Sequence, residues 1–185
     1  MSQNNDPLAS LSRLIEQQSA PMEQWQPQDC GAIDIHISAD GIWHHQGSAI
    51  KRMPLVQLFA KVLCREQDQY YLKTPVEKMA ISVADAPLLI IDWRLQELPE
   101  HDTHHPLLIC RDNIGREFIV GELHPLVLHK DVHGQEVPYL QLPHNVEAKV
   151  SRAVFYAWAQ ELVETTQQEF VLYSGAASFS LGGLT

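Results

Sequence analysis

At 185 residues the chain suits one domain or two small ones, and it can bury a sizeable core without disulfide or metal staples, since a domain near this size hides roughly 70% of its unfolded surface. Thirteen Lys and Arg against 23 Asp and Glu leave a net charge of −10, which argues against general nucleic-acid binding but leaves room for one small anionic ligand held by a few well-placed cations. Cys30, Cys64 and Cys110 are far apart and form no CxxC, so they read as reduced thiols of a cytoplasmic protein, and neither a secretory h-region nor a membrane-spanning apolar run is visible.

In chain order, DPLASLSRLIEQQ predicts a helix with Asp6 as N-cap, Pro7 as the first helical residue, and Leu8, Leu11, Leu14 and Ile15 on one face. APMEQWQPQDCG has two prolines and no periodicity and reads as a linker. AIDIHI alternates as a half-buried strand, SADG is turn chemistry, and IWHHQ returns as the partner strand. MPLVQLFAKVLCRE carries Leu55, Leu58, Phe59 and Val62 at helical spacing and predicts a helix that includes Cys64. YYLKTPVEKMAISV predicts a strand, a corner at Thr74-Pro75 and a second strand. PLLIIDWRLQEL is a long apolar strand, and ELPEHDTHHP a polar loop. LLICR, DNIG and EFIVGE form a hairpin; LVLHK and VPYLQL are strands about the turn DVHG. NVEAKVSRAVFYAWAQELVETTQQ is the longest predicted helix, with Val150, Val154, Trp158 and Leu162 at four-residue spacing. FVLYS ends the set as a short strand, and the small-residue tail GAASFSLGGLT reads as loose unless docked. Residues 70–83 and 138–154 echo each other, with Tyr-Leu, a Pro three residues after the Leu, and a downstream Glu and Lys.

Three stretches, DGIWHHQGSAIKRMPLVQLFAKVL, YYLKTPVEKMAISV and RDNIGREFIVG, together resemble a bacterial family catalogued as domain of unknown function 1285, over residues 6 to 165. The resemblance implies a duplicated α+β architecture whose C-terminal unit is pleckstrin-homology-like, a nucleotide-related ligand site at the interface of the two units, and a role in signal transduction. The matching positions are Asp40, Gly41, Trp43, His45, Gly47, Ile50 and Arg52, then Tyr71, Leu72, Thr74, Pro75, Val76, Glu77 and Lys78, with Asn113 and Arg152 in the second unit. Asn145 stands where the pattern expects a small residue.

Read for chemistry, His44 and His45 are strand neighbours and point to opposite faces, so they do not chelate one ion together. His101, Asp102, His104 and His105 form a polar cluster without the helical spacing of H-E-x-x-H. In GSAIKR, Gly47 permits close backbone approach, while Lys51 and Arg52 precede a helix and suit a phosphate or carboxylate; the bland alternative is a turn with solvated cations. KTPVEK offers Glu77 as an acceptor and Lys78 as its pair, against the alternative of a salt-bridged surface corner. Neither a P-loop nor a G-x-S-x-G elbow is present, and nothing marks a pair of carboxylates for acid/base work.

The expectation is an α+β protein of two β-rich units of curled antiparallel sheet, with an N-terminal helix at 1–20, a first unit at 21–85 and a second at 86–185 closed by the C-terminal helix. Its expected function is non-enzymatic binding of a small anionic, nucleotide-like ligand, with a signalling partner and neither metal nor cofactor. Lys51 or Arg52 screens the anion, Thr74, Glu77 and Lys78 supply polar contacts, Trp43 and Tyr71 form an apolar wall, and His45, Gly47, Asn113 and Arg152 complete the site. The alternatives are an interaction scaffold with a peptide groove and a metal-assisted hydrolase on the 101–105 loop.

Overall fold

The computed structural model describes residues 22–97, 105–166 and 169–183. The expected N-terminal helix and most of the ELPEHDTHHP loop lie outside those residues. Within them the protein is β-rich α+β, with fifteen strands in three sheets and two α-helices.

The described residues group into two compact units. One holds residues 22–36 with Trp43–Ser82; the other holds Ile37–Ile42 and everything described from Val83 onward. The N-terminal unit carries a six-stranded sheet in the order β3-β2-β1-β6-β5-β4. Its strands are β1 (Gln28–Ile37), β2 (Trp43–His45), β3 (Ser48–Ala49), β4 (Leu63–Glu66), β5 (Gln69–Lys73) and β6 (Glu77–Val83). Alternation along β1 works as read: Ile35 and Ile37 are buried while Asp34 and His36 are exposed. The supposed linker is partly ordered, with a 3-10 turn at Met22–Gln24 and β1 starting at Gln28.

The first helix, α1 (Met53–Lys61), is shorter than its periodicity suggests. Val62 caps it, donating to the Phe59 carbonyl at 3.1 Å, and Leu63 starts β4. Cys64 therefore sits on a strand rather than on the helix, paired with Tyr71. The misreading has a physical cause. A short apolar run fits either period, and here the turn decides, because Gln67 takes a positive φ of 55° and folds β4 back onto β5.

The C-terminal unit carries a second six-stranded sheet, β10-β11-β12-β7-β8-β9, built from β7 (Leu88–Gln96), β8 (Leu107–Asp112), β9 (Glu117–Ile119), β10 (Leu126–Lys130), β11 (Glu136–Leu142) and β12 (Val146–Val150). β12 runs parallel to β7, and the pairs β10/β11, β11/β12, β7/β8 and β8/β9 are antiparallel. A third sheet joins β13 (Glu164–Thr165), β14 (Glu169–Ser174) and β15 (Ala177–Gly183). The second helix, α2 (Arg152–Glu161), buries Val154 and Trp158 and packs on β7.

The long C-terminal helix expected at 145–168 is thus three elements. Val146, Ala148 and Val150 are buried and alternate with Glu147 and Lys149, which is strand periodicity. Ser151 is the N-cap, its hydroxyl accepting from Val154 N at 3.4 Å. Val150 and Val154 are four apart by coincidence across that boundary. The tail is not loose: β15 pairs with β14 along its length. The two echoing stretches take the same local form, antiparallel strands around a proline corner, β5/β6 at Thr74-Pro75 and β11/β12 at the 3-10 turn Pro143–Asn145.

Candidate functional site

In the C-terminal unit a cleft of about 370 Å³ opens between β12, the first turn of α2 and the β10–β11 turn. Its lining includes Leu89, Val137, Val150 and Phe155 on the apolar side and Asp131, His133, Lys149, Ser151 and Arg152 on the polar side. The register explains the polar side. Lys149 faces Tyr139 across β11/β12, on the face opposite the buried Val146, Ala148 and Val150.

Lys149 Nζ lies 2.7 Å from Asp85 Oδ2 and 2.9 Å from Asp131 Oδ2. All three side chains are nearly closed to solvent, at 15%, 6% and 3% exposure. Tyr139 donates its hydroxyl to Asp85 Oδ1 at 2.7 Å. Asp131 Oδ1 accepts from the backbone N–H of His133 at 2.9 Å and of Gln135 at 3.0 Å, which shapes the DVHG turn. The Lys149 ammonium, helped by those two amides, holds the Asp131 carboxyl down at about 2. Burial opposes the Lys149 charge, but its bonds to Asp85 and Asp131 outweigh that and its pKa is raised. Tyr139, buried and facing an anion, is pushed well above its usual range. At the rim, Arg152 donates to the Gln135 side-chain oxygen at 2.6 Å, a neutral partner.

In this unit Asn113 has a structural duty. Its side chain accepts from Leu89 N at 3.0 Å and donates to the Gly41 carbonyl at 3.2 Å, tying the 38–42 turn to β7. Gly41 has φ +74°, and a Cβ there would meet Asn113 Nδ2 at 2.9 Å.

The N-terminal unit places the other expected site residues as follows. Trp43 is 1% exposed and stacked on Phe59 at 6.2 Å, so it is core and has almost no surface to give a ligand. His45 and Gly47 are exposed in the β2–β3 hairpin. Lys51 and Arg52 are exposed directly before α1, whose N-cap Arg52 makes no side-chain capping bond. Thr74 braces its corner, accepting from Glu77 N at 3.0 Å and donating to Glu77 O at 3.2 Å. The Glu77 side chain is exposed. Lys78 bonds Glu66 at 2.8 Å and lies 4.5 Å from the Tyr71 ring centre, and Lys73 meets the same carboxylate at 3.1 Å. The bonds from Lys78 and then Lys73 depress the Glu66 pKa. Thr74 and Lys78 are therefore engaged in a corner and an ion cluster of this unit. Of the 101–105 cluster only His105 is described; it stacks on Tyr173 at 4.2 Å. Among the described residues no three His, Cys, Asp or Glu side chains gather as metal ligands, and no helix is long and apolar enough to cross a membrane.

Residues 20–86 match the family model described as "Domain of unknown function (DUF1285), N-terminal domain", and residues 87–181 the one described as "Protein of unknown function (DUF1285), C-terminal domain". The chain belongs to the DUF1285 family. The crystal structure at 2.50 Å of a DUF1285 family protein from Silicibacter pomeroyi DSS-3 is 32% identical and superposes with a TM-score of 0.79, covering 94% of this chain and 95% of that one. The 1.40 Å structure of a DUF1285 family protein from Shewanella baltica OS155 is 30% identical with a TM-score of 0.55, covering 70% of this chain and 93% of that one. No curated protein matches the chain.

In this DUF1285 protein the sequence reading missed Asp85, Asp131, Tyr139 and Lys149. The signal that could have found them is the alternation in NVEAKV, which puts Glu147 and Lys149 on one face, together with the Asx-turn chemistry of DVHG.

Proposed function

We propose that this protein is a non-enzymatic ligand-binding module that takes a small anionic ligand in the cleft of its C-terminal unit. The observation that carries this is Arg152: a guanidinium at the rim of a formed cleft, held by a neutral amide. An anion can replace or share that amide and gain a charge-assisted bond. Lys149 does not serve this purpose, being committed to two carboxylates. The same commitment keeps Asp131 and Lys149 bound to each other rather than presented to a ligand as an acid or base. In this reading the C-terminal unit, sheet plus closing helix, is pleckstrin-homology-like, and the bound state is read by a signalling partner.

A thermal-unfolding screen against small anions tests it. A ligand at 100 times its dissociation constant adds about 2.7 kcal/mol, several degrees in a domain of this size. The shift should vanish in Arg152→Gln, and a shift that survives that change places the ligand elsewhere.

One observation favours a scaffold as the second reading. Beside edge strand β9 runs an apolar groove of about 580 Å³, lined by Ile119 and Leu123, the latter 88% exposed. An extended peptide adding to that edge would be insensitive to Arg152→Gln and lost with Leu123→Asp.

A further inference from the structure

We infer that the ligand of this cleft is a monoanionic carboxylic acid with an apolar body, seated carboxylate-to-Arg152, and not a nucleotide. The inference rests on the cleft reading above and names its ligand class. The charges decide it first. Asp85, Asp131 and Lys149 lie within 2.7 and 2.9 Å contacts and together carry one negative charge. Of these only Asp131 and Lys149 line the cleft, where they offset each other, and Arg152 adds one positive charge there. It matches one anionic group at the rim. A second negative charge, as on a phosphate monoester, would sit near the Asp131 carboxylate, inside a protein of net charge −10.

Hydrogen-bonding capacity decides it next. Ser151 already caps α2, and both oxygens of Asp131 are taken. Among the described residues the lining side chains that remain to read a base or a ribose are Arg152, the His133 ring and the Ser151 hydroxyl as a donor. Half the lining is apolar: Ala39, Leu89, Val137, Val150 and Phe155. The volume, about 370 Å³, is at the small end for ligand sites, which suits a compact acid. A planar guanidinium fork meets a carboxylate with two parallel bonds.

Calorimetric titration of the full chain with phenylacetate, 4-methylvalerate, phenylacetamide, AMP and inorganic phosphate tests the inference. We expect at least one of the two acids to bind with Kd below about 1 mM, with phenylacetamide, AMP and phosphate each weaker by about tenfold or more. Arg152→Gln, whose unfolding midpoint should match the parent, should weaken the acid by about tenfold. AMP or phosphate binding tighter than either acid, still dependent on Arg152, overturns the ligand class and leaves the cleft reading standing. Phenylacetamide binding as tightly as phenylacetate overturns the charge pairing. No binding by any probe, or binding indifferent to Arg152→Gln, removes the cleft reading and this inference together.

Discussion

Asp131 is a side chain whose energetics can be read from its partners. It accepts from Lys149 and from two backbone amides, and its pKa falls from the usual 3.8 to about 2. A depressed folded-state pKa means the charge stabilises the fold above about pH 4, and that contribution is lost as pH falls towards 2. The urea midpoint of the parent should therefore exceed that of Asp131→Asn at pH 5, and the gap should close by pH 2; a constant gap would show that asparagine is simply a worse turn residue at this position. Tyr139 makes a second test. Tyr139→Phe removes the donor to Asp85 while keeping the ring stacked on His129 at 3.6 Å. The expected loss is about 1.5 kcal/mol in urea unfolding, with the fold unchanged by circular dichroism. Residues of this kind were hardly legible in the sequence. Arg152 lines the cleft, and the sequence singles it out only through the family resemblance and its closeness to Phe155, Tyr156 and Trp158. Lys149 was not legible, because its two partners, Asp85 and Asp131, come from distant parts of the chain, and no local spacing brings the three together. Trp43 shows the opposite error: a Trp within a family-like motif was assigned to a ligand wall, whereas its area is spent on the core against Phe59.

Between elements, single polar side chains hold junctions that strand pairing alone leaves open. Ser174, on β14, is buried; its hydroxyl accepts from Leu108 N on β8 at 2.9 Å and donates to the Val120 carbonyl at 2.6 Å. This pins the third sheet to the second across more than fifty residues of chain. Ser174→Ala should leave one donor and one acceptor buried without partners and cost about 2 kcal/mol, whereas Ser180→Ala at an exposed position should cost well under 1 kcal/mol. Paired urea unfolding curves check the contrast, and equal costs would deny Ser174 its role as a pin. The 38–42 turn is a comparable junction, where Gly41→Ala meets both a positive φ and the Asn113 amide, so at least about 1 kcal/mol of destabilisation is expected. Strands bounded by clear turns, such as β1, β5, β6, β8 and β11, were legible for this reason: a proline or Asx corner at the strand end, with alternation where it occurs as in β1, admits one interpretation. The two helices were placed but overextended, because short apolar runs beside them satisfy both periods: residues 62–66, ahead of the turn at Gln67, and the cap at Ser151 read as helical.

At the scale of the molecule, each unit carries its own buried thiol, Cys64 in the N-terminal unit and Cys110 in the C-terminal unit. Burial, with Glu66 nearby, raises the Cys64 thiol to about 11, and burial raises Cys110 to about 12. At pH 8 either site holds on the order of 0.1% thiolate or less, so a disulfide reagent should react only when the surrounding structure opens. The two sites differ in where they sit. Cys64 is on β4, the edge strand of its sheet, and Cys110 is on β8, flanked by β7 and β9. Edge strands open at lower free energy than interior ones, because fewer ladders must break. In a Cys30→Ser background, labelling at increasing urea and site-resolved mass spectrometry should find Cys64 modified at lower denaturant than Cys110. Identical labelling profiles for the two thiols would mean that neither site opens short of global unfolding and that the units behave as one cooperative body. Adding a ligand sharpens the comparison. If the cleft of the C-terminal unit is the binding site, ligand should slow the labelling of Cys110 and leave the low-urea labelling of Cys64 unchanged, because binding stabilises against only those openings that destroy the site.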